Sequence, residues 1–149
     1  METNKMTDTI LVGIDGSPDS RRAVEYGITM AKKDKASLVL AFVIEWSEYS
    51  FNTPEENEQR HKRREEEIKT VKERVLDPML ESLAPEDIEM KGVVRHGQVA
   101  AALIQIAREQ DANQIVVGRI GQKTISTVIF GSVVTKLIQL THIPVTIVP

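Results

Sequence analysis

Apolar residues in this chain form short runs that alternate with segments of helical periodicity. The runs are rich in β-branched residues and predict strands at residues 9–14, 37–44, 88–95, 115–117 and 145–148. Apolar residues at helical spacing predict helices after Ser17-Pro18, over residues 55–83, after Gly97, and from Gly131-Ser132 to about Leu140. This alternation predicts one doubly wound, three-layer α/β domain with a parallel sheet and helices on both faces.

Local details refine this outline. Residues 55–67 contain no apolar side chain, so we expect the start of the second helix to be solvated and frayed. Pro78 lies within the same helix and predicts a kink or split near Asp77. We expect the His96-Gly97 pair to turn the chain after the third strand. In the last helix, the residues expected to face inward are Val133, Val134, Leu137 and Ile138.

Composition narrows the class of protein. With 149 residues, the chain has the length of one domain, and we expect a flexible tail over residues 1–8 and the domain over residues 9–149. The net charge of −3 offers no basic surface for nucleic acid. The absence of cysteine excludes disulfides and thiolate chemistry. The apolar run at 38–44 is too short to span a membrane and no signal-peptide pattern occurs, so we expect a cytoplasmic protein.

The stretch from Ile115 to Ser132 holds the strongest candidate for chemistry. A strand ends at Gly118, and Gly121 follows three residues later. Nine residues then separate Gly121 from Gly131-Ser132, which begin a helix. Glycine lets the backbone approach a ligand closely, and the unpaired N–H groups at a helix start favour an anion. The stretch therefore predicts a phosphate-binding loop, with a plain strand-to-helix turn as the alternative.

Charged candidates flank this loop. Ligands of doubly wound sheets bind at the carboxyl ends of strands where the strand order reverses, which selects Asp15, the residues near Val43, and residues 118–121. Asp15 could hold a ribose hydroxyl or a metal bound to phosphates, or could simply cap a turn. Arg119 and Lys123 could neutralise phosphate charge, with ordinary surface exposure as the alternative.

Several familiar sites do not occur in the sequence. The three histidines, at positions 61, 96 and 142, have no metal-binding spacing, and we interpret them as structural or exposed. The turn after the first strand, residues 13–17, lacks the glycine pattern of a dinucleotide-binding fold. A nucleophile elbow, a zinc-protease helix and a lysine-containing phosphate loop are also absent.

Several features spread over nearly the whole chain occur together. The first strand ends in Asp15, the second ends in Ala41-Phe42-Val43, Gly97 precedes the third helix, and residues 144–148 read Pro-Val-Thr-Ile-Val. The most specific feature is the glycine pattern Gly-x-x-Gly, nine residues, Gly-Ser at residues 118–132. Together these features resemble the universal stress protein family. The glycine pattern resembles the Gly-2x-Gly-9x-Gly-Ser/Thr signature of its ATP-binding branch.

The resemblance implies a five-stranded parallel sheet in the order 3-2-1-4-5, ATP in the crevice, and a homodimer that pairs through the last strand, here residues 145–148. It implies that Asp15 faces the ribose and the phosphates or a metal such as Mg²⁺, and that the backbone at Val43 meets adenine. Apart from the resemblance, Arg119 stays a candidate for the charged part of the site because of its position beside Gly118. The residues implied to line the phosphates are Gly118, Gly121, Gly131 and Ser132, with Val133 extending the helix entry.

The chain also departs from the family pattern. Members often carry Ser or Thr and then His or Arg between the first two glycines, where this chain has Arg119-Ile120. Position 42 is often His and here is Phe42. Both departures bear on how a nucleotide would lie in the crevice and how tightly it would bind.

Three hypotheses about function follow. The favoured one is an ATP-binding stress-response or signalling protein that acts as a sensor or switch. Since the sequence positions no general base, its activity would not exceed slow ATP hydrolysis or autophosphorylation at Ser132 or a nearby Thr. The alternative is a dimeric interaction module for an unidentified protein partner, with an empty pocket or another small ligand. An enzyme of the related adenine-nucleotide α/β-hydrolase group is the third, and no catalytic constellation supports it.

Overall fold

The computed structural model describes residues 8–45, 53–119 and 132–149. The strands are β1 (Thr9–Ile14), β2 (Ser37–Glu45), β3 (Met90–Gly97), β4 (Gln114–Gly118) and β5 (Val145–Val148). The helices are α1 (Pro18–Asp34), α2 (Pro54–Val71), α3 (Asp77–Leu83), α4 (Val99–Glu109) and α5 (Ser132–Leu140). A π-helical turn, Lys72–Leu76, joins α2 to α3. The predicted alternation of strands and helices is confirmed.

The five strands form one sheet in the order β3-β2-β1-β4-β5, and every neighbouring pair is parallel. The doubly wound fold and the strand order implied by the resemblance are therefore both confirmed. The expectation that His96-Gly97 turns the chain was wrong. Both residues stay extended in β3, because β2 is long enough to pair Ile44 with His96 and Glu45 with Gly97.

Alternate side chains of the sheet supply two separate cores, as expected for a strand buried on both faces. Leu11 of β1 packs in the core under α4 and α5, whereas Val12 packs in the opposite core under α1 and the α2–α3 region. Gly27 allows α1 to lie close to the sheet, because a Cβ at that position would lie 2.8 Å from Val12 Cγ2. The strand ends, rather than the faces, are thus left to form a site.

Helix α2 is solvated, as predicted, and none of its residues is buried. Its start is capped rather than frayed. The Thr53 side chain accepts the Glu56 N–H and the Glu56 carboxylate accepts the Thr53 N–H, each at 3.2 Å. This capping box satisfies two N–H groups that would otherwise lack a partner at the helix start.

The interruption predicted near Asp77 is confirmed, because the π-helical turn Lys72–Leu76 ends directly before it. The turn places Leu76 on β3, where the side chain is 1% exposed. A Cβ at Gly92 of β3 would lie 2.9 Å from Leu76 Cδ1, so glycine makes room for this contact. Leu76 therefore anchors the otherwise solvated α2–α3 region on the sheet.

Helix α5 buries fewer residues than its sequence predicts. Val134 and Leu137 are buried and Val133 is partly buried, but Ile138 is 56% exposed. The inward orientation expected for Ile138 was wrong. Helix α5 packs on α4 and β5 through a narrow stripe, and the residue after Leu137 lies about 100° further round the helix.

Residues 1–7 lie outside the described part of the chain. Asp8, the last residue of the expected tail, accepts a hydrogen bond from the Ser37 N–H at 2.8 Å through its carbonyl. The boundaries of the tail and the domain stay predictions, as does the cytoplasmic location. Within the described ranges, no helix has both the length and the apolar character needed to cross a membrane.

Candidate functional site

The strand order reverses between β1 and β4, and the predicted site residues Asp15 and Gly118 lie at this point. Asp15 directly follows β1 and Gly118 ends β4. Because β1 and β4 pair in parallel, their carboxyl ends lie side by side. Doubly wound folds bind their ligands in the crevice at such a position. Gly121 and Gly131 lie outside the described residues.

Val43 is the first residue of β2 that extends beyond β1. The pairing of β1 with β2 ends at Ile14 and Phe42, whereas the pairing of β2 with β3 continues to Glu45 and Gly97. The Val43 side chain is 8% exposed and packs in the core under α4. Its side chain thus belongs to the core, and the predicted contact of its backbone with adenine stays a prediction.

Asp15 belongs to a tight turn that starts α1. Its Oδ1 accepts the Ser17 N–H at 2.9 Å, and Gly16 between them has φ +81°. Ser17 then caps the helix, since its Oγ accepts the Ser20 N–H at 3.2 Å. The structure therefore assigns Asp15 the turn role that the sequence left open, and places the carboxylate beside the crevice as well.

Gly118 is close to the first turn of α1. A Cβ at Gly118 would lie 3.1 Å from the Asp19 carbonyl oxygen and 3.2 Å from the Asp19 Cβ. A helix backbone cannot move aside as easily as the end of a side chain, so this contact alone is enough to favour glycine at position 118. Packing against α1 is thus a reason for Gly118 that is independent of any phosphate.

Arg119 is exposed, and its backbone joins the crevice to the last strand. Its N–H donates to the Val148 carbonyl at 2.8 Å. The next carbonyl, that of Pro149, accepts a 3.2 Å hydrogen bond from Arg22 Nε. Arg22 also pairs with the Asp19 carboxylate through its guanidinium. Sequence analysis missed Arg22 and Asp19, because both resemble ordinary surface charges on an amphipathic helix.

Ser132 and Val133 occupy the first two positions of α5. Ser132 is exposed, while Val133 packs against the core under α4. The N–H groups at the start of this helix lack partners within the helix, as at any helix start. The two residues therefore have the positions that the signature requires, a helix entry that follows a strand ending in Gly118.

Asp15 is the carboxylate assigned to a metal by the sequence. Among the described residues, no group of three or more His, Asp and Glu side chains could hold a metal ion. A Mg²⁺ ion that is bound mainly by nucleotide phosphates needs only one or two protein carboxylates. Asp15 fits that limited role, and the described residues do not form a metal site without a nucleotide.

A concavity lies between β2 and α2. It has a volume of about 410 Å³ and is lined by Phe42, Ile44, Arg63, Glu66, Glu67, Thr70 and Val71. At its border His96 Nε2 lies 3.0 Å from Glu67 Oε2, and the His96 side chain is 11% exposed. The structural role expected for His96 thus agrees with this contact. The two residues are 29 positions apart, which no local pattern reveals.

Comparison with known proteins agrees with the fold and with the family that the sequence resembles. The profile of the universal stress protein family matches residues 6–149. The chain belongs to the universal stress protein family. It is 28% identical to the universal stress protein YxiE of Bacillus subtilis, with 96% of this chain and 99% of that protein covered.

Other relatives of this universal stress protein differ in length. It is 30% identical to a universal stress protein of Mycobacterium tuberculosis strain H37Rv over 94% of this chain, but spans only 47% of that protein, about half its length. Among solved structures, the chain is similar to the universal stress protein UspA from Lactobacillus plantarum. The TM-score is 0.79 at 18% identity, with 98% of this chain and 100% of that chain covered.

A further solved structure is a universal stress protein in complex with cAMP. It is 28% identical to this chain with a TM-score of 0.58, and the similarity covers 95% of this chain and 96% of that one. At least one relative of this universal stress protein therefore binds a nucleotide.

Proposed function

We propose that this universal stress protein binds ATP in the crevice between β1 and β4 and acts as a stress-response sensor or switch. The observation that carries the proposal is the placement of the two ends of the glycine pattern. Gly118 ends β4 at the strand-order reversal, and Ser132 begins α5. A strand end and a helix entry joined by a glycine-rich segment form the usual cradle for a phosphate group.

Each predicted residue has a role in this proposal. The backbone of Val43 contacts adenine at the open edge of β2, and Asp15 faces the ribose. The phosphates lie along the glycine pattern and the first N–H groups of α5, from Gly118 to Val133, with Gly121, Gly131 and Ser132 among the contacts. The Arg119 guanidinium supplies positive charge beside them. Mg²⁺, when present, is held by the phosphates and the Asp15 carboxylate.

The proposal assigns binding, not efficient turnover. The sequence positions no general base for attack by water, and the Asp15 carboxylate beside the crevice already accepts the Ser17 N–H. We therefore limit any reaction to slow hydrolysis or to phosphate transfer onto Ser132 or a nearby Thr. The nucleotide in the related cAMP complex supports adenine recognition, while the choice of ATP rests on the glycine signature.

Titration calorimetry with the purified chain tests the proposal. ATP with Mg²⁺ is compared with ADP, cAMP and GTP at matched concentrations. We expect saturable ATP binding at micromolar to millimolar concentrations and much weaker binding of GTP. No heat of binding at millimolar ATP would overturn the proposal, and preference for cAMP would redirect it to another nucleotide.

A second candidate function is protein association through the edge of the sheet. Strand β5 pairs with β4 on one side, and in the described structure it ends the sheet on the other. Nearby on α5, Ile138 and Leu140 are 56% and 54% exposed. Exposed strand edges beside apolar residues favour pairing with another chain. We propose a homodimer through residues 145–148, with binding of a further protein partner as an extension of this function.

A further inference from the structure

Arg22 makes two contacts, one local within α1 and one with a distant residue that no pattern in the sequence indicates. Its guanidinium pairs with the Asp19 carboxylate one turn earlier in α1. Its Nε also donates to the Pro149 carbonyl at 3.2 Å, 127 positions away in the sequence. We call this pair of contacts the Arg22 clamp. It joins the first turn of α1 to the end of β5.

Both residues held by the clamp are next to the crevice. The backbone of Asp19 packs against Gly118, with a distance of 3.1 Å from its carbonyl oxygen to a Cβ at that glycine. The carbonyl of Val148, which precedes Pro149, accepts the Arg119 N–H at 2.8 Å. The clamp therefore links the two elements, α1 and β5, that contact Gly118 and Arg119 at the start of the glycine pattern.

We propose that Arg22 is a positioning residue for the nucleotide-binding crevice, and that it acts by fixing Gly118 and Arg119 between α1 and β5. The inference rests on the proposed nucleotide binding and deepens it. The role of Arg22 is to hold the end of β4 in place through Asp19 and Pro149.

The chemistry of arginine suits this role. Its planar guanidinium presents several N–H donors in a fixed geometry, so one group can bind a carboxylate and a carbonyl together. Strand β5 has only four residues and lies at the sheet edge, and the ends of short edge elements open readily. The Arg22 side chain is 50% exposed, so its removal leaves the two cores intact.

Arg21 provides a matched control. It neighbours Arg22 on α1, is 55% exposed, and pairs with Glu25 at 3.4 Å. Arg21→Gln and Arg22→Gln remove the same charge and one ion pair each from the same helix. Only the second substitution removes the hydrogen bond to Pro149.

The first readout is ATP affinity by calorimetry. We expect Arg22→Gln to weaken binding about 3- to 10-fold, the effect of losing one or two exposed hydrogen bonds, and Arg21→Gln to change it less than about twofold. Arg22→Lys keeps the positive charge but not the planar guanidinium, so its ATP affinity should lie between those of the wild type and Arg22→Gln. Melting temperatures of the two Gln variants should agree, so that a general loss of stability cannot explain the difference. Equal ATP affinities in both Gln variants would overturn the inference.

The second readout does not need a nucleotide. Hydrogen–deuterium exchange at the Arg119 amide, which is bonded to Val148, should be faster in Arg22→Gln and unchanged in Arg21→Gln. If the wild-type chain binds no ATP, the proposed function fails while this measurement still decides whether the clamp exists. Unchanged exchange at Arg119 in Arg22→Gln would exclude a positioning role.

Discussion

The Glu67 carboxylate lies 3.0 Å from His96 Nε2, and this contact joins the solvated helix α2 to the edge strand β3. The His96 side chain is 11% exposed and that of Glu67 is 45% exposed. Since α2 buries none of its own residues, this polar contact adds to the anchoring of the α2–α3 region by Leu76.

We expect Glu67→Ala to lower the free energy of unfolding by about 0.5–1 kcal/mol, a value reduced because Glu67 is half exposed. The exposed neighbour Glu66 serves as the control, and Glu66→Ala should change the free energy by less than about 0.5 kcal/mol. Urea denaturation measures both. Equal effects would show that the contact with His96 does not stabilise the fold.

The capping box of α2 gives a second prediction. Thr53→Ala removes the side chain that accepts the Glu56 N–H and should cost about 1 kcal/mol in local stability. Thr70 lies in the same helix, and its hydroxyl donates to the Glu66 carbonyl. Thr70→Ala should be neutral or slightly stabilising, because alanine is the better helix former. Hydrogen exchange over residues 55–60 distinguishes the two, and protection retained in Thr53→Ala would contradict the prediction.

Gly16 has φ +81° and open space around its Cα, so the cost of a substitution there comes from the backbone. Gly16→Ala should destabilise the chain by roughly 1–2 kcal/mol. Gly16→Asn should cost less, since asparagine adopts the left-handed region more readily. Thermal unfolding of both variants checks the order. The reverse order would indicate that crowding, not conformation, determines this position.

Asp15→Asn separates charge from turn geometry. Asparagine keeps the side-chain oxygen that accepts the Ser17 N–H, so the turn and the stability should be preserved. Loss of the carboxylate should weaken Mg²⁺-dependent ATP binding by roughly 10-fold, about 1.4 kcal/mol. Calorimetry in Mg²⁺ and in EDTA measures this, with Asp34→Asn at the far end of α1 as the control. If Mg²⁺ strengthens ATP binding by Asp15→Asn as much as by the wild type, Asp15 does not bind the metal.

The proposed dimer can be tested on the outer edge of β5. The Pro144 carbonyl accepts the N–H of Ile115 in β4, and the Val148 carbonyl accepts the N–H of Arg119, which directly follows β4. Successive residues of a strand alternate their backbone direction, so the Ile147 N–H faces away from β4. Ile147→Pro should therefore convert a dimer to a monomer while the bonds to β4 remain.

Sedimentation equilibrium measures the mass of each variant, and circular dichroism checks that Ile147→Pro is folded. Ile147→Val, which keeps the N–H, should remain dimeric. A monomeric wild-type chain would refute the dimer proposal. A folded Ile147→Pro dimer would show that the chains associate through another surface.

The order of the elements was predictable because it depends on local patterns. Apolar runs and helical periodicity identified each strand and each helical stretch in the part of the chain that the structure describes. Ser17 and Pro18 start α1 as helix-capping preferences require. The glycine spacing around Gly118 identified the family, since its positions are fixed in sequence. The position of Asp15 at the crevice was also predictable, because Asp15 directly follows a buried strand.

The frayed start expected for α2 was a local error, since the capping box lies within residues Thr53 to Glu56. The other two errors arose where packing between distant elements decides the outcome. His96 and Gly97 stay extended because β2 extends to meet them, and Ile138 is exposed because α5 packs through a narrow stripe. Neither fact can be read from a window of neighbouring residues.

The sequence by itself thus determined the family, the alternation of strands and helices, and the glycine pattern of the candidate site, all of which depend on residues close together in the chain. Only the tertiary structure decided that Gly118 packs on Asp19 and that Arg22 reaches Pro149. Such contacts join residues about 100 or more positions apart, and charged surface residues carry no periodicity that would reveal their partners. Their pairing is set by the way the parallel strands and their crossover helices bring the strand ends together.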